Sequence, residues 1–132
     1  DLHVDVPASG PLELGSAPLG ESSATVAARV AEAREIQTRR YQVYLDAARP
    51  VRTNADAEGE LLEQSAILEH AGQALLSEAA EKLKLTARSY HRVLKVARTI
   101  DDLAGADMVG RIHVAEALSF RRLNPALMNT AA

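Results

Sequence analysis

The clearest pattern along the chain is helical and runs from Leu85 to Gly105. Apolar residues recur there at the i, i+3, i+4 and i+7 spacing that lines one face of a helix. They are Tyr90, Val93, Leu94, Ala97 and Ile100. Polar residues lie on roughly the opposite side: Arg88, His91, Arg92, Lys95 and Thr99. Thr86 is a suitable N-cap and Gly105 a suitable C-terminal stop, so the pattern predicts one amphipathic helix with an arginine in its first turn.

Four further segments carry apolar residues at helical spacing. We expect helices from Ser22 or Ser23 to about Leu45, from Glu60 to Ala66, from Glu69 to Lys84, and from Arg111 to Arg122. The expected core positions are Val26, Val30, Ala33, Ile36 and Gln37 in the first of these helices, Ala71, Leu75, Leu76, Ala79 and Leu83 in the third, and Val114, Ala117 and Leu118 in the last. Because a very short connection joins the third to the Arg88 helix, we expect these two to pack as an αα-hairpin.

The rest of the chain divides into an arm, a loop and a tail. Residues 1–6 alternate polar and apolar, which predicts a short strand, and residues 7–21 are rich in proline and glycine, as linkers are. Residues 47–59 form a second loop whose role the sequence does not indicate. The expected fold class is therefore all-α. A bundle of four or five helices occupies residues 22–122, preceded by an extended arm (1–21) and followed by a flexible tail (123–132).

Composition narrows the class of protein. Apolar residues make up 47% of the chain but aromatic residues only 3%, so the core must be built from Leu, Ile, Val and Ala, which favours closely packed helices. The chain has no cysteine, which fits a reducing compartment and leads us to expect a cytoplasmic protein. No apolar run approaches the roughly 20 residues needed to span a bilayer. The absence of an initiator methionine suggests an excised fragment.

Arg88 is the candidate with the strongest physical argument. A cation in the first turn lies at the wrong end of the helix dipole, at a cost of a few tenths of a kcal/mol. The position makes sense if an anion binds there, because the free N–H groups of the first turn and the guanidinium can converge on one phosphate. The alternatives are that Arg88 pairs with an acid such as Glu81 or is simply solvated.

A stripe of Arg92, Lys95 and Arg98 continues the basic face. It could contact a nucleic-acid backbone, contact a neighbouring subunit, or be an ordinary solvated face. Residues 56–81 hold seven acids and no Lys or Arg, and residues 82–98 hold six bases and no acid. These blocks suggest helices that face each other or face different partners.

Other chemistry is not supported. The four histidines lie far apart with no ligand spacing, so we expect no metal site. No serine has a G-x-S-x-G context. The phosphate-binding G-x-x-x-x-G-K-[ST] motif of NTPases is also missing, so we expect no ATP hydrolysis by this chain alone and no catalytic residue in it.

Two blocks carry a family resemblance. They are LTARSYHRVLKVARTIDDLAGAD, from Leu85 to Asp107, and HVAEALSFRR, from His113 to Arg122. Both resemble the C-terminal lid of the YifB/ComM family, AAA+ ATPases related to the magnesium chelatase I subunit. The opening DLHVDVPA resembles the last strand of the ATPase core of that family, and GESSATVAARVAEAREIQTRRY, from Gly20 to Tyr41, resembles the helix that enters the lid. Gly110 departs from the pattern, since Ser or Thr is commoner before the last helix.

The resemblance implies a function within a longer parent protein. Arg88 matches the sensor-2 arginine, which reaches from the lid to the γ-phosphate of ATP held with Mg²⁺ on an upstream ATPase core. The implied partners are that core, neighbouring subunits of a hexameric ring, and DNA, for a branch-migration helicase active in natural transformation. The alternatives are the lid of a magnesium chelatase ATPase subunit and, from another class, a non-ATPase helical module that binds DNA or protein. A helix-turn-helix is disfavoured, because the helices are long and the chain is acidic.

Overall fold

The structure is a computed structural model that describes residues 2–16 and 20–121. Five helices form the bundle: α2 (Ser23–Tyr41), α3 (Gly59–Ser65), α4 (His70–Lys82), α5 (Ala87–Ala104) and α6 (Arg111–Ser119). A 3-10 turn, Gln42–Tyr44, extends α2, and a single helical turn, α1 (Pro11–Leu14), precedes the bundle. The predicted all-α bundle is therefore confirmed. No helix within the described ranges is both long and apolar enough to cross a membrane.

Helix α5 forms the spine of the bundle. Its buried apolar residues are the predicted Val93, Leu94 and Ala97, which are 1%, 2% and 0% exposed. The helix begins where the Ser89 N–H donates to the Thr86 hydroxyl at 3.2 Å and ends at Gly105, whose φ of 67° is the left-handed conformation that favours glycine. Helices α6, α2 and α3 pack against it, and α6 also packs against α4.

The predicted α4–α5 hairpin is wrong. Helix α4 packs chiefly on α6, and the partners of α5 are α6, α2 and α3. The turn between α4 and α5 explains the difference, because Lys84 adopts a left-handed φ of 48° and the Leu85 N–H closes the turn on the Ala80 carbonyl at 3.0 Å. After this turn, α6 packs on both α4 and α5.

A close approach of backbones joins α4 to the segment before α6. Leu68 and Val109 form a parallel bridge, in which the Glu69 N–H donates to the Val109 carbonyl at 3.0 Å and the Val109 N–H to the Ile67 carbonyl at 2.9 Å. Gly72 is buried against the same carbonyl of Val109. At the start of α6, the Gly110 N–H donates to Nδ1 of His113 at 3.1 Å, so the histidine pairs the backbone N–H of the N-cap residue.

Some expected core positions are exposed. Val26 and Val30 are 38% and 43% exposed, because the buried face of α2 begins only at Ala33 and the first half of the helix projects past the bundle. Ala71 is also exposed, and Gly72 occupies the buried position beside it. By contrast, the buried positions predicted at Ala33 and Gln37 are confirmed.

The N-terminal arm differs from its prediction. Residues 2–9 form no strand, since no other strand in the described part of the chain lies beside them; the His3 N–H donates to the carbonyl of Phe120 at 2.8 Å. The linker contains α1, which begins with Pro11 at its first position and accepts the Gly10 N–H on the Glu13 carboxylate at 3.1 Å. The tail expected at 123–132 lies outside the described residues, and the domain boundaries stay predictions.

Candidate functional site

A basic groove opens between α5 and the start of α3. It has a volume of about 670 Å³, and four of its lining side chains come from the polar face of α5: Arg88, His91, Arg92 and Lys95. Glu58, Gly59 and Leu62 form the other wall. Because residues 88, 91, 92 and 95 are three, four and seven apart, the helix places them on one side. The predicted polar face of α5 is therefore one wall of a groove.

Arg88 lies at the N-terminal end of this groove and is exposed. Its guanidinium forms no ion pair within the described ranges, so the pairing with Glu81 that we considered is not observed. Thr86 caps the third N–H of the helix, and the positive end of the helix dipole adds to the charge of Arg88. An anion entering the groove would find a cation that no internal contact has neutralised.

Lys95 and His91 connect the groove to neighbouring elements. The Lys95 ammonium donates to the backbone carbonyl of Ala55 at 2.8 Å, which ties α5 to the loop before α3. Nε2 of His91 lies 3.6 Å from Oε1 of Glu63 on α3, an ion pair when the imidazole is protonated. The groove thus contains both an uncommitted cation and one already bonded inside the domain.

Arg98 does not belong to the basic stripe. It is only 6% exposed, and its Nη1 lies 2.5 Å from Oδ2 of Asp101 and 3.1 Å from the carbonyl of Asp107. Its Nη2 lies 3.3 Å from Oδ1 of Asp102. The expectation that Arg98 contacts DNA or another subunit together with Arg92 and Lys95 is therefore wrong. One position past Ala97, it borders the apolar face and enters the interior, where two acids neutralise it.

Asp102, near the C-terminal end of α5, is the centre of a buried polar network. Its side chain has no exposed area, and it accepts both terminal nitrogens of Arg40, at 3.0 and 2.5 Å. Asn54 Nδ2 donates to it at 2.8 Å and Gln37 Nε2 at 3.2 Å. The loop that the sequence left without a role thus inserts Asn54 between α2 and α5. Since α5 is fixed at this end, the groove at its other end has a rigid support.

Burial and charge shift several pKa values in this region. Burial raises the pKa of Asp101 above its ordinary value, against the opposing effects of Arg98 and His113. For Arg40, burial lowers the pKa, but hydrogen bonds and charge from Asp102 outweigh it and the net shift is upward. Sequence reasoning missed this network. One available signal was the pair of acids at the C-terminal end of the apolar stripe of α5, where a carboxylate requires a buried partner.

Asp56 organises the loop next to the groove. Its Oδ2 accepts the N–H groups of Arg52 and Thr53 at 3.1 and 3.0 Å and the Thr53 hydroxyl at 3.1 Å. The bond from the Arg52 N–H is the largest cause that lowers the pKa of Asp56, and the nearby charge of Lys95 contributes.

Acidification should therefore loosen this loop. A carboxyl with a folded-state pKa below the unfolded value stabilises the fold above that unfolded value, and the contribution is lost as pH falls through the folded pKa. We expect the Thr53 amide proton, followed by NMR, to titrate with a midpoint below the ordinary pKa of aspartate. In Asp56→Asn the titration should vanish. A midpoint at or above the ordinary value would contradict this account of the loop.

No group of three or more His, Asp and Glu side chains within the described ranges is arranged to hold a metal ion. The lining of the basic groove is instead cationic, with Arg88, Arg92 and Lys95. It offers no cluster of carboxylates for a metal.

Comparison with known proteins identifies the family. The family described as magnesium chelatase, subunit ChlI C-terminal, matches residues 20–121. The chain is 37% identical over 130 residues to the protein of Salmonella typhimurium named uncharacterized protein YifB, which covers 98% of this chain and 24% of that protein. It is 36% identical over 125 residues to competence protein ComM of Haemophilus influenzae, covering 93% of this chain and 23% of that protein. An uncharacterized protein of Mycobacterium bovis is 38% identical over 107 residues, 81% of this chain and 20% of that protein.

The chain spans about a quarter of the length of the curated relatives it matches. The matched family range contains all five helices of the bundle and every residue of the basic groove. The chain therefore belongs to the magnesium chelatase, subunit ChlI C-terminal family, and its interpretation as a lid domain of the YifB/ComM kind is confirmed.

Proposed function

We propose that this domain closes over ATP bound on the ATPase core of its parent protein, and that Arg88 contacts the γ-phosphate. One observation carries the proposal: Arg88 is exposed at the positive end of α5, in a groove lined by further cations. The planar guanidinium remains charged at all relevant pH values and can bind two phosphate oxygens at once. Its charge costs little in the absence of ligand, because water solvates it.

The groove fits a polyphosphate and does not fit the metal that accompanies it. Arg88, Arg92 and Lys95 supply positive charge, and Glu58 is the acid that lines the same groove. We therefore assign the phosphate oxygens to this chain and Mg²⁺ to the core. A bound ATP supplies the terminal phosphate as the anchor, and loss of that phosphate on hydrolysis would release Arg88 and permit a hinge motion of the lid.

Helix α5 links Arg88 to the rest of the domain. Arg88 lies in the first turn of α5, whose last turns carry Asp101 and Asp102 with their buried partners on α2 and in the loop. A force on Arg88 therefore acts on a helix fixed at its far end to the remainder of the domain. We propose that this rigid connection passes the state of the nucleotide to a neighbouring subunit of a hexameric ring, through the face of α5 that carries Arg92 and Lys95.

For the parent protein we propose a cytoplasmic DNA motor, a branch-migration helicase of natural transformation. The family resemblance supports this choice, and one relative of this chain is named competence protein ComM. The alternative is the ATPase subunit of a magnesium chelatase, since the matching family takes its description from that subunit. Stimulation of ATP turnover by DNA separates the two, because a chelatase motor has no reason to respond to DNA.

Removing Arg88 should abolish most ATP turnover in the parent protein. An arginine that stabilises the charge of a transferring phosphoryl group typically accounts for about 10²-fold or more of the rate, so we expect Arg88→Ala to lower kcat by roughly that factor. The measurement is steady-state phosphate release with and without DNA. A thermal melt should remain unchanged, because Arg88 is exposed and forms no ion pair that would stabilise the described fold.

Arg111 provides a matched control. It too is an exposed arginine in the first turn of a helix, α6, but it lies outside the basic groove. Arg111→Ala should turn over ATP like the wild type. If Arg88→Ala behaves like Arg111→Ala, then Arg88 is an ordinary surface charge and the domain is better interpreted as an interaction module. DNA affinity of this chain alone, with a steep dependence on salt, would then favour a nucleic-acid-binding module.

A further inference from the structure

Lys95 connects the basic groove to the loop before α3. It lines the basic groove with Arg88, seven residues earlier and two turns along the same face of α5. Its ammonium is already bonded to the carbonyl oxygen of Ala55 at 2.8 Å, across 40 positions of sequence. The side chain is thus both a wall of the groove and a clamp on the loop before α3.

The carbonyl that Lys95 holds is at the centre of that loop. Asn54, on one side of Ala55, is 1% exposed and donates to Asp102 and to the Thr99 hydroxyl. Asp56, on the other side, accepts the N–H groups of Arg52 and Thr53. Asn54 is anchored in the buried network, whereas Asp56 is exposed and depends on its own short-range bonds and on the charge of Lys95. Lys95 therefore contacts the exposed part of the loop, next to the anchored Asn54.

A phosphate in the groove would compete for the ammonium. An ionised phosphate adds the attraction between opposite charges, which the neutral carbonyl of Ala55 cannot supply to the ammonium. Lys95 has a flexible four-carbon stem, so it can change partner without movement of the helix. The carbonyl it leaves belongs to an exposed residue and would be solvated by water at small cost.

We propose that Lys95 is a movable cation that couples phosphate binding in the groove to the order of the loop around Ala55 and Asp56. Without ligand, Lys95 holds the Ala55 carbonyl and the loop is clamped. With phosphate bound, Lys95 turns to the anion and the loop loosens. The inference rests on the proposed function only in that the groove takes a phosphate. It assigns to Lys95 a positioning role on the loop that Arg88 does not have.

The loop also borders a second groove, next to the basic one. Ala55, Thr99 and Leu103 line an apolar groove together with Val96, Ile100 and Phe120. Lys95 reaches the edge of this second groove as well. Loosening of the loop would therefore change the shape of a neighbouring apolar surface that also includes Lys95. The coupling gives the domain a route from the basic groove to an apolar face without unfolding the bundle.

NMR on the 132-residue chain tests the proposal, with tripolyphosphate as the probe. We expect the ligand to shift the amides of Ala87 and Arg88. The chemical shift of the Ala55 carbonyl carbon should change over the same range of ligand concentration, in the direction that accompanies loss of a hydrogen bond. Amide exchange at Thr53 should become about tenfold faster, since a hydrogen bond to a charged group is lost. Lys95→Met should show the loosened loop without any ligand, and tripolyphosphate should not loosen it further.

Lys82→Met is the matched control. Lys82 is exposed on α4 and pairs with Glu78 at 2.5 Å, away from the loop, so this variant should respond to tripolyphosphate like the wild type. If the Arg88 amide saturates while Ala55 and Thr53 do not change, the coupling is wrong and the phosphate groove stands. If Lys95→Met leaves the loop as ordered as in the wild type, Lys95 is not the clamp. If no amide of the groove responds to millimolar tripolyphosphate, the coupling is rejected because no phosphate binds there. ATP turnover by Arg88→Ala still decides the proposed function.

Discussion

Asp102→Asn is expected to lower the free energy of unfolding by about 3 kcal/mol, the lower end of the cost of breaking a buried ion pair. The physical reason is the number of donors that converge on one carboxylate. Two nitrogens of Arg40, one of Asn54, one of Gln37 and one of Arg98 lie within 3.3 Å of its oxygens. An asparagine has the same size but offers a single oxygen. Its NH₂ group would meet donors where the wild type has an acceptor. Arg40 would lose the carboxylate it pairs with, and Arg98 would lose one of its two.

Urea denaturation at neutral pH, followed by circular dichroism, measures the effect. The control is Asp46→Asn, at an exposed aspartate, which should change the free energy of unfolding by no more than about 0.5 kcal/mol. An Arg40→Met partner variant completes a double-mutant cycle, in which a coupling energy well above zero is expected because the two side chains are in direct contact. A loss of less than about 1 kcal/mol for Asp102→Asn would mean that the carboxylate is not the centre of the network.

The position of the buried network around Asp102 matters for function. It joins the last turns of α5 to α2 and to the loop before α3, and the basic groove lies on the first turns of the same helix. Asp102→Asn should therefore weaken the support of the groove without altering any residue that lines it. The sequence shows the two ends of α5 as unrelated features, a basic stripe and a pair of acids. The fold makes them the two ends of one rigid element.

How far the sequence could predict this arrangement depends on the range of the contacts involved. Helix α5 was predictable to within two residues because its cap, its apolar face and its stop all lie within one short segment. The groove was half predictable, since Arg88, Arg92 and Lys95 follow from helical spacing, but the wall formed by Glu58 and Gly59 comes from another helix. The role of Asn54 was not predictable, because its partners are 13 to 48 positions away in sequence.

Two errors have the same origin. The expected basic stripe includes Arg98 with Arg92 and Lys95, but an arginine can be buried when acids inside the fold neutralise it. The acids that neutralise it, Asp101 and Asp102, come three and four residues later on the same helix. Likewise, α4 and α5 were paired because they are adjacent in sequence, whereas the left-handed turn at Lys84 separates them. In each case a local rule was correct on average and a specific tertiary contact overrode it.

Gly72→Ala is expected to destabilise the domain by about 2 kcal/mol, as overpacking a closed contact does. Two effects oppose each other at this position. Alanine is the better helix former by about 1 kcal/mol, which would stabilise α4. However, a Cβ on Gly72 would lie 2.6 Å from the carbonyl oxygen of Val109 and 3.2 Å from the carbonyl carbon of Gly110, both of them backbone atoms that cannot rotate away.

The 2.6 Å distance to the Val109 carbonyl oxygen decides whether Gly72→Ala raises or lowers the free energy of unfolding. To accept the methyl group, α4 must move off the segment before α6, and the bonds from the Glu69 N–H to the Val109 carbonyl and from the Val109 N–H to the Ile67 carbonyl would lengthen from 3.0 and 2.9 Å. Thermal and urea unfolding of Gly72→Ala measure the cost, with Ala71→Ser, one residue earlier on the exposed side of α4, as a control that should change little. A gain in stability near the helix-propensity value would show that α4 does not approach Val109 so closely. A loss would establish that the junction of α4 and α6 depends on a residue without a side chain.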